Sequence, residues 1–211
     1  MFACCVGDIN QEPGEIVETK TLPVLQEKGT QSTEKEDASG SFTVLVPAKR
    51  HATLGLELDT SGAHGPTVAE VKKGAVDDFN QLNPLRTILP HDMVVQMGDA
   101  KGTKAILAKM AAPLHDVKLT LHRPRRMQVK LRKEAKSSLG IKLIIKEMCP
   151  GAVITEVKPT GLVGKWNAKN PSDAIGVSDR LLAVNGLTEL KETLAEDLTN
   201  ETELELTFLK Y

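Results

Sequence analysis

From Phe42 onward the chain is written in short apolar runs with a period of two. Phe42, Val44 and Val46 alternate with Thr43 and Leu45, and Leu54, Leu56 and Leu58 alternate with Gly55 and Glu57. Successive side chains of a strand point to opposite faces, so this pattern predicts half-buried strands. Two stretches depart from it with helical spacing, a short one around Ala75 to Gln81 and a second at Lys104 to Met110. Leu190, Leu194 and Leu198 recur four apart, which lines one face of a further helix.

The pattern also repeats. Laying Phe42 to Leu58 on Met127 to Leu143 pairs Val44 with Val129, Val46 with Leu131, Leu54 with Leu139, Gly55 with Gly140 and Leu56 with Ile141. With single-residue adjustments, Val68 to Val71 falls on Ile154 to Val157, Phe79-Asn80 on Trp166-Asn167 and Asn83-Pro84 on Asn170-Pro171. Asp92 then meets Asp179, and Val117, Leu119 and Leu121 meet Leu204, Leu206 and Phe208. A unit of this length is too long for a solenoid repeat and suits a duplicated small domain. The expected division is a polar, acidic-leaning, disordered lead over 1–41, one domain over 42–124 and a second over 127–211. In the copy the helices fall at Val163 to Ala168 and Leu190 to Leu198, giving two short helices per domain in a mostly β, α+β fold. The basic stretch His122-Arg123-Pro124-Arg125-Arg126 at the junction reads as a solvated linker.

Composition narrows the function. The 211 residues carry a formal charge of -1, without the surplus of Lys and Arg that phosphate binding demands, so nucleic acid is not an expected partner. Aromatic residues make up only 3%, so the cores must be aliphatic. The apolar runs fall far short of the roughly 20 residues needed to cross a bilayer, and the start lacks the basic flank and apolar core of a secretory signal. Three cysteines do not make an even disulfide framework, and a cytoplasmic address with reduced thiols is expected. His51, His64, His91, His115 and His122 stand singly, without metal-ligand spacing. There is no Gly-x-Ser-x-Gly elbow and no phosphate-cradling Gly-x4-Gly-Lys loop, and the two repeats with their polar lead leave no room for a catalytic domain. Neither an enzyme, a cofactor, a metal nor a small-molecule substrate is expected. Cys149, before Pro150-Gly151, is placed in a strand-strand turn.

The residues with most to say are Thr53-Leu54-Gly55-Leu56 and their copy Ser138-Leu139-Gly140-Ile141. In each half they follow a first strand and precede two strands, a short helix, a strand and turn, a second helix and a closing strand. The turn is clearest in Val177-Ser178-Asp179-Arg180-Leu181-Leu182-Ala183-Val184-Asn185-Gly186, and looser in His91 to Asp99. This order resembles a tandem of two PDZ domains, and the resemblance covers Phe42 to Tyr211. It implies two partly open β-barrels or sandwiches, each binding the C-terminal peptide of another protein, membrane proteins included, as an added strand.

Three consecutive amides at a loop-strand junction suit a terminal carboxylate, so those of Leu54, Gly55 and Leu56, and of Leu139, Gly140 and Ile141, are the implied holders, with Thr53 and Ser138 opening the loops. Both openings depart from the family's glycine. Lys49 fills the usual basic place in the first loop, whereas Glu134 stands there in the second, with Lys133 and Lys136 nearby. The implied groove helices carry Thr103 and Leu107 in the first copy and Leu190, Lys191 and Leu194 in the second. None of these is the histidine that selects Ser or Thr tails, and an apolar residue two places before the end is expected for the second groove. Two other readings stand beside peptide capture. In one, the first copy has lost its ligand and only braces the second; in the other, Cys4 and Cys5 are acylated and make the pair a peripheral membrane module.

Overall fold

Alternating burial sets the strands. In β1 (Ser41–Val46), Val44 and Val46 are buried while Leu45 between them is 63% exposed. The computed structural model describes residues 40–48, 53–113, 115–134, 137–146, 149–188 and 202–211, with backbone alone at 149–150. Cys4, Cys5, Lys49, Lys136, Leu190, Lys191, Leu194, Leu198 and nearly all of the polar lead lie outside these residues.

The first sheet continues with β2 (Leu56–Asp59), β3 (Thr67–Val71), β4 (Met93–Met97), β5 (Ala100–Lys101) and β6 (Val117–His122). Its order is β1-β6-β4-β3-β2, with β5 paired on β4. The second sheet is built of β7 (Arg125–Arg132), β8 (Ile141–Lys146), β9 (Cys149–Val157), β10 (Arg180–Val184) and β11 (Glu203–Lys210), in the order β7-β11-β10-β9-β8. The two orders are the same path drawn twice. Three α-helices are described, α1 (Ala75–Leu82), α2 (Thr103–Met110) and α3 (Leu162–Lys169), with 3-10 turns at Pro84–Arg86 and Pro171–Asp173.

The expected mostly β architecture with short helices is what is seen, but neither sheet closes into a barrel. β1 and β2 stand at opposite ends of the first path, as do β7 and β8 in the second. Helical side chains cover the open face instead: Val76 and Phe79 of α1 and Ile106 of α2 join Val46, Leu119 and Leu121 in one core. Val163 and Trp166 of α3 join Leu181, Leu206 and Phe208 in the other.

Hydrogen bonds repeat as faithfully as the strands. The Asn80 amide donates to the Ile88 carbonyl at 2.8 Å and accepts from the Ile88 amide at 2.8 Å. Asn167 and Ile175 do the same at 2.7 and 2.8 Å. The carboxylates of Asp92 and Asp179 each accept a backbone amide three residues earlier, from Leu89 and Gly176. Each Asn and Asp thereby ties the chain after a helix into the next strand, which explains why these polar residues recur in an otherwise aliphatic repeat.

Two sequence expectations change. Cys149 opens β9, paired with Lys146, rather than lying in a turn. The basic junction is not a free linker: only Arg123 and Pro124 separate β6 from β7. Arg123 is docked, with its guanidinium 4.9 Å from the Phe42 ring centre, its Nε and Nη2 on the Asp92 carboxylate at 2.9 and 2.8 Å, and Nη2 also on the Thr87 carbonyl at 2.6 Å. A planar fork facing a buried carboxylate and an aromatic ring has more to gain there than in water.

Candidate functional site

The two apolar-Gly-apolar segments are held by what their carbonyls do. The Thr53 carbonyl accepts from the Ala75 amide at 3.2 Å, that of Leu54 from Val76 at 3.0 Å and that of Gly55 from Lys72 at 2.8 Å. In the copy, the Ser138, Leu139 and Gly140 carbonyls accept from Leu162 at 3.0 Å, Val163 at 3.1 Å and Lys158 at 2.7 Å. The first two carbonyls of each segment are thus sewn onto the first turn of α1 or α3, satisfying amides that a helix start leaves without intrahelical partners, and the third is held by the residue after β3 or β9.

Backbone meets backbone at this crossing, with two glycines face to face. Gly55 and Gly140 lie at φ +77 and +71, where a side chain is strained. A Cβ on Gly74 would sit 2.8 Å from the Gly55 Cα, and one on Gly161 only 2.4 Å from the Gly140 Cα. Sequence reasoning singled out Gly55 and Gly140 but missed their partners. The signal was present, since Gly74 and Gly161 are a repeated glycine just before a helix.

Leu54 and Leu139 are buried, while Leu56 and Ile141 are partly exposed at the head of β2 and β8. Thr53 and Ser138 are exposed, and the Ser138 hydroxyl accepts from the Gly140 amide at 3.1 Å. Thr103 is the first residue of α2; Ile106 reaches the core shared by Leu54, Leu56 and Leu58, and Leu107 is 42% exposed. Of the other loop residues, Glu134 is exposed and Lys133 partly so.

The largest feature absent from the sequence reading is a junction between the two halves. Asp59, at the end of β2, is 5% exposed and takes a hydrogen bond from Arg180 Nη2 at 2.5 Å, with Arg180 itself 3% exposed. Ser61 donates to the same carboxylate through its amide at 3.0 Å and its hydroxyl at 2.5 Å. Lys146, at the end of β8, reaches Asp59 at 3.5 Å, so the ends of β2 and β8 remote from the two loops meet each other. The Ser178 hydroxyl accepts from the Ala63 amide at 2.7 Å, and the Tyr211 hydroxyl donates to the His91 carbonyl at 3.0 Å.

Burial alone would raise the Asp59 carboxyl, but the Ser61 and Arg180 hydrogen bonds outweigh it and hold it well below the usual carboxylate range. Burial, with the Arg180 and Arg126 cations behind it, lowers His91 to about 4. Burial pushes the Tyr211 phenol up to about 12.

His91 makes the junction acid-sensitive. Its imidazole is harder to protonate in the folded chain than in the unfolded one, whose pKa is near 6.5, so stability present above about 6.5 is lost as pH falls towards about 4. Asp59 adds a further loss only below about 4, where its unfolded-state carboxyl takes a proton. Unfolding free energy, measured by denaturant titration from pH 7.5 to 4.5, should fall with a slope of at most about 1.4 kcal/mol per pH unit from this one group. His91→Asn should flatten that slope, since Asn tolerates the φ of 75 found there and does not titrate. A variant with an unchanged slope would remove His91 from the account.

Among the described residues no three His, Cys, Asp or Glu side chains cluster to hold a metal, and no helix is long and apolar enough to cross a membrane. No protein-family model matches the chain, and no curated protein matches it. Solved structures similar to it include a complex of INAD PDZ45 with NORPA CC-PBM, 17% identical, covering 85% of this chain and 97% of that one at a TM-score of 0.35. INAD PDZ45 in complex with an NG2 peptide is 16% identical, covering 87% of this chain and 96% of that one at a TM-score of 0.37.

Proposed function

We propose that the chain is a non-enzymatic, cytoplasmic adaptor of two PDZ-like units, each capturing the C-terminal tail of a partner protein by strand addition. One observation carries this reading. Each sheet ends in an edge strand, β2 or β8, that begins at an apolar-Gly-apolar segment whose carbonyls are engaged behind it, those of Thr53 and Leu54 or Ser138 and Leu139 by a helix start and that of Gly55 or Gly140 by the residue after the neighbouring strand. The same segments offer Leu54, Gly55 and Leu56, or Leu139, Gly140 and Ile141, as amide donors for a carboxylate, and the edge strand beyond them offers its ladder to the peptide backbone. In the second unit the Gly140 amide leans on Ser138, an interaction the incoming carboxylate has to displace or share.

A tail whose carboxylate sits at the head of β2 runs antiparallel to it, towards Asp59. A tail on β8 runs likewise towards Lys146, and these two residues are neighbours. Both ligands therefore leave their grooves at one junction, an arrangement suited to a partner that presents two tails from one body. Linked capture of that kind raises affinity without any new contact.

The test is a random C-terminal peptide library screened against the purified chain, with an amidated copy of every hit. Amidation removes the charge that the clustered amides would hold, and hydrogen bonds to a charged group contribute about 1.5–3 kcal/mol each, so affinity should fall at least about tenfold. Hits that bind equally well as amides would refute carboxylate capture.

A further inference from the structure

Because the chain holds two copies of one unit, each copy is a control for the other. On the first unit Glu57 of β2 lies opposite Glu70 of β3, with Lys72 Nζ 2.6 Å from Glu57 and 3.6 Å from Glu70. On the second, Lys142 of β8 lies opposite Glu156 of β9 and pairs with it, and Lys158 stands where Lys72 does. The hydrogen bond from Lys142, with the Lys158 cation behind it, holds the Glu156 carboxyl below the usual range, which places all three together. One exchange, Glu57 for Lys142, turns two acids and a base into two bases and an acid.

These side chains lie on the outward face of the edge strands. Leu56 and Leu58 pack on the first core, and Ile141, Leu143 and Ile145 on the second, so the residue between them in each strand points the other way. Both strands also carry a register shift just after this residue, at Glu57/Leu58 and Lys142/Leu143. A captured peptide obeys the same period. With its last side chain turned inward, the residues one and three places before the end face outward, beside Glu57 or Lys142.

We infer that the two grooves select tails of opposite charge. The β2 groove takes Lys or Arg at the positions one and three before the end, and the β8 groove takes Asp or Glu there. This rests on the tail-capture reading above. Opposite charges across a strand pair contribute modestly, so the preference at each groove is about two- to fivefold, largest at low salt and fading as screening shortens to about 10 Å at 0.1 M.

The experiment uses the full chain and three synthetic C-terminal peptide libraries that carry Arg, Glu or Ala at those two positions, read by amide shift changes along β2 and β8. The Arg library should favour β2 and the Glu library β8. Glu57→Lys should turn β2 towards the Glu library, and Lys142→Glu should turn β8 towards the Arg library. The double exchange should retain both preferences with the grooves swapped, showing that the singles had not simply unfolded an edge. Binding of all three libraries alike, unmoved by either exchange, would overturn charge selection and leave tail capture standing. Failure of even the Ala library to bind either edge would overturn both.

Discussion

Arg180→Ala should destabilise the chain by about 3–5 kcal/mol and uncouple its two halves. The change leaves the Asp59 carboxylate buried without its cation, and removing one partner of a buried pair carries a cost of that size. Arg180 and Asp59 are separated by 121 positions and are both almost fully buried, and the pair is the buried ionic contact of a junction whose other described contacts include the hydrogen bonds of Ser178 with Ala63 and of Tyr211 with His91, and Lys146 beside Asp59. Lys146 is half exposed and 3.5 Å away, a weak substitute for a 2.5 Å contact. Calorimetry should show one cooperative transition in the native chain and two partly separated ones in the variant. Replacing both members, Asp59→Leu with Arg180→Met, should recover most of the loss, because no charge is then stranded. A variant within about 0.5 kcal/mol of the native chain, unfolding as one unit, would show that the ion pair does not join the halves.

The junction also marks where sequence reading stopped. Periodicity located strands such as β1 because burial alternates there: Val44 and Val46 go in and Leu45 goes out, as their spacing demands, whereas β10 is buried at every position. The repeat in the sequence is matched by repeated local bonding, since Asn80 and Asn167, or Asp92 and Asp179, do the same work in each copy. Thr103 opens α2 and Ala75 opens α1, within a residue of where apolar spacing puts them. Asp59 and Arg180 carry no such mark. In strands reading Leu-Glu-Leu-Asp and Arg-Leu-Leu-Ala-Val, a charged residue is the ordinary sign of a solvent face, and only a contact from the other half makes it buried. The internal alignment nevertheless held a hint: Asp59 stands where the copy has Ile144, and Arg180 where the first unit has Met93. When two copies pack on each other they press different faces together, so residues that changed polarity since duplication mark the interface. The candidate loops were legible as Gly55 and Gly140, because a repeated glycine between apolar residues needs a backbone reason. That the Thr53, Leu54, Ser138 and Leu139 carbonyls turn to a helix start was not legible, because it depends on chain returning from some twenty residues away.

Gly161→Ala should be among the most damaging single changes in the second unit, despite being the mildest substitution in chemistry. Gly161 has φ -76 and ψ 170, a conformation alanine adopts freely, so backbone strain is not the issue. The added Cβ would lie 2.4 Å from the Gly140 Cα, 2.7 Å from the Leu139 oxygen and 2.8 Å from the Gly140 nitrogen. All three are backbone atoms, which cannot swing aside as a side chain can, so the loop must lift off the start of α3. Overpacking costs about 1–3 kcal/mol where side chains can adjust, and here the upper end or more is expected. Gly186→Ala is the matching control: its φ of 80 strains an L residue, yet nothing lies within 4 Å. Its penalty should be the conformational one alone, about 1–2 kcal/mol. On the proposed reading, tail capture suffers too, because the amides of Leu139, Gly140 and Ile141 could hold a carboxylate only while the loop stays seated. Gly161→Ala should therefore reduce tail binding along β8 at least tenfold while sparing β2, and Gly186→Ala should spare both. Peptide titrations read separately along the two edges make the comparison. Loss at β8 with Gly186→Ala as well would mean that general weakening of the unit, rather than the seating of this loop, controls its binding.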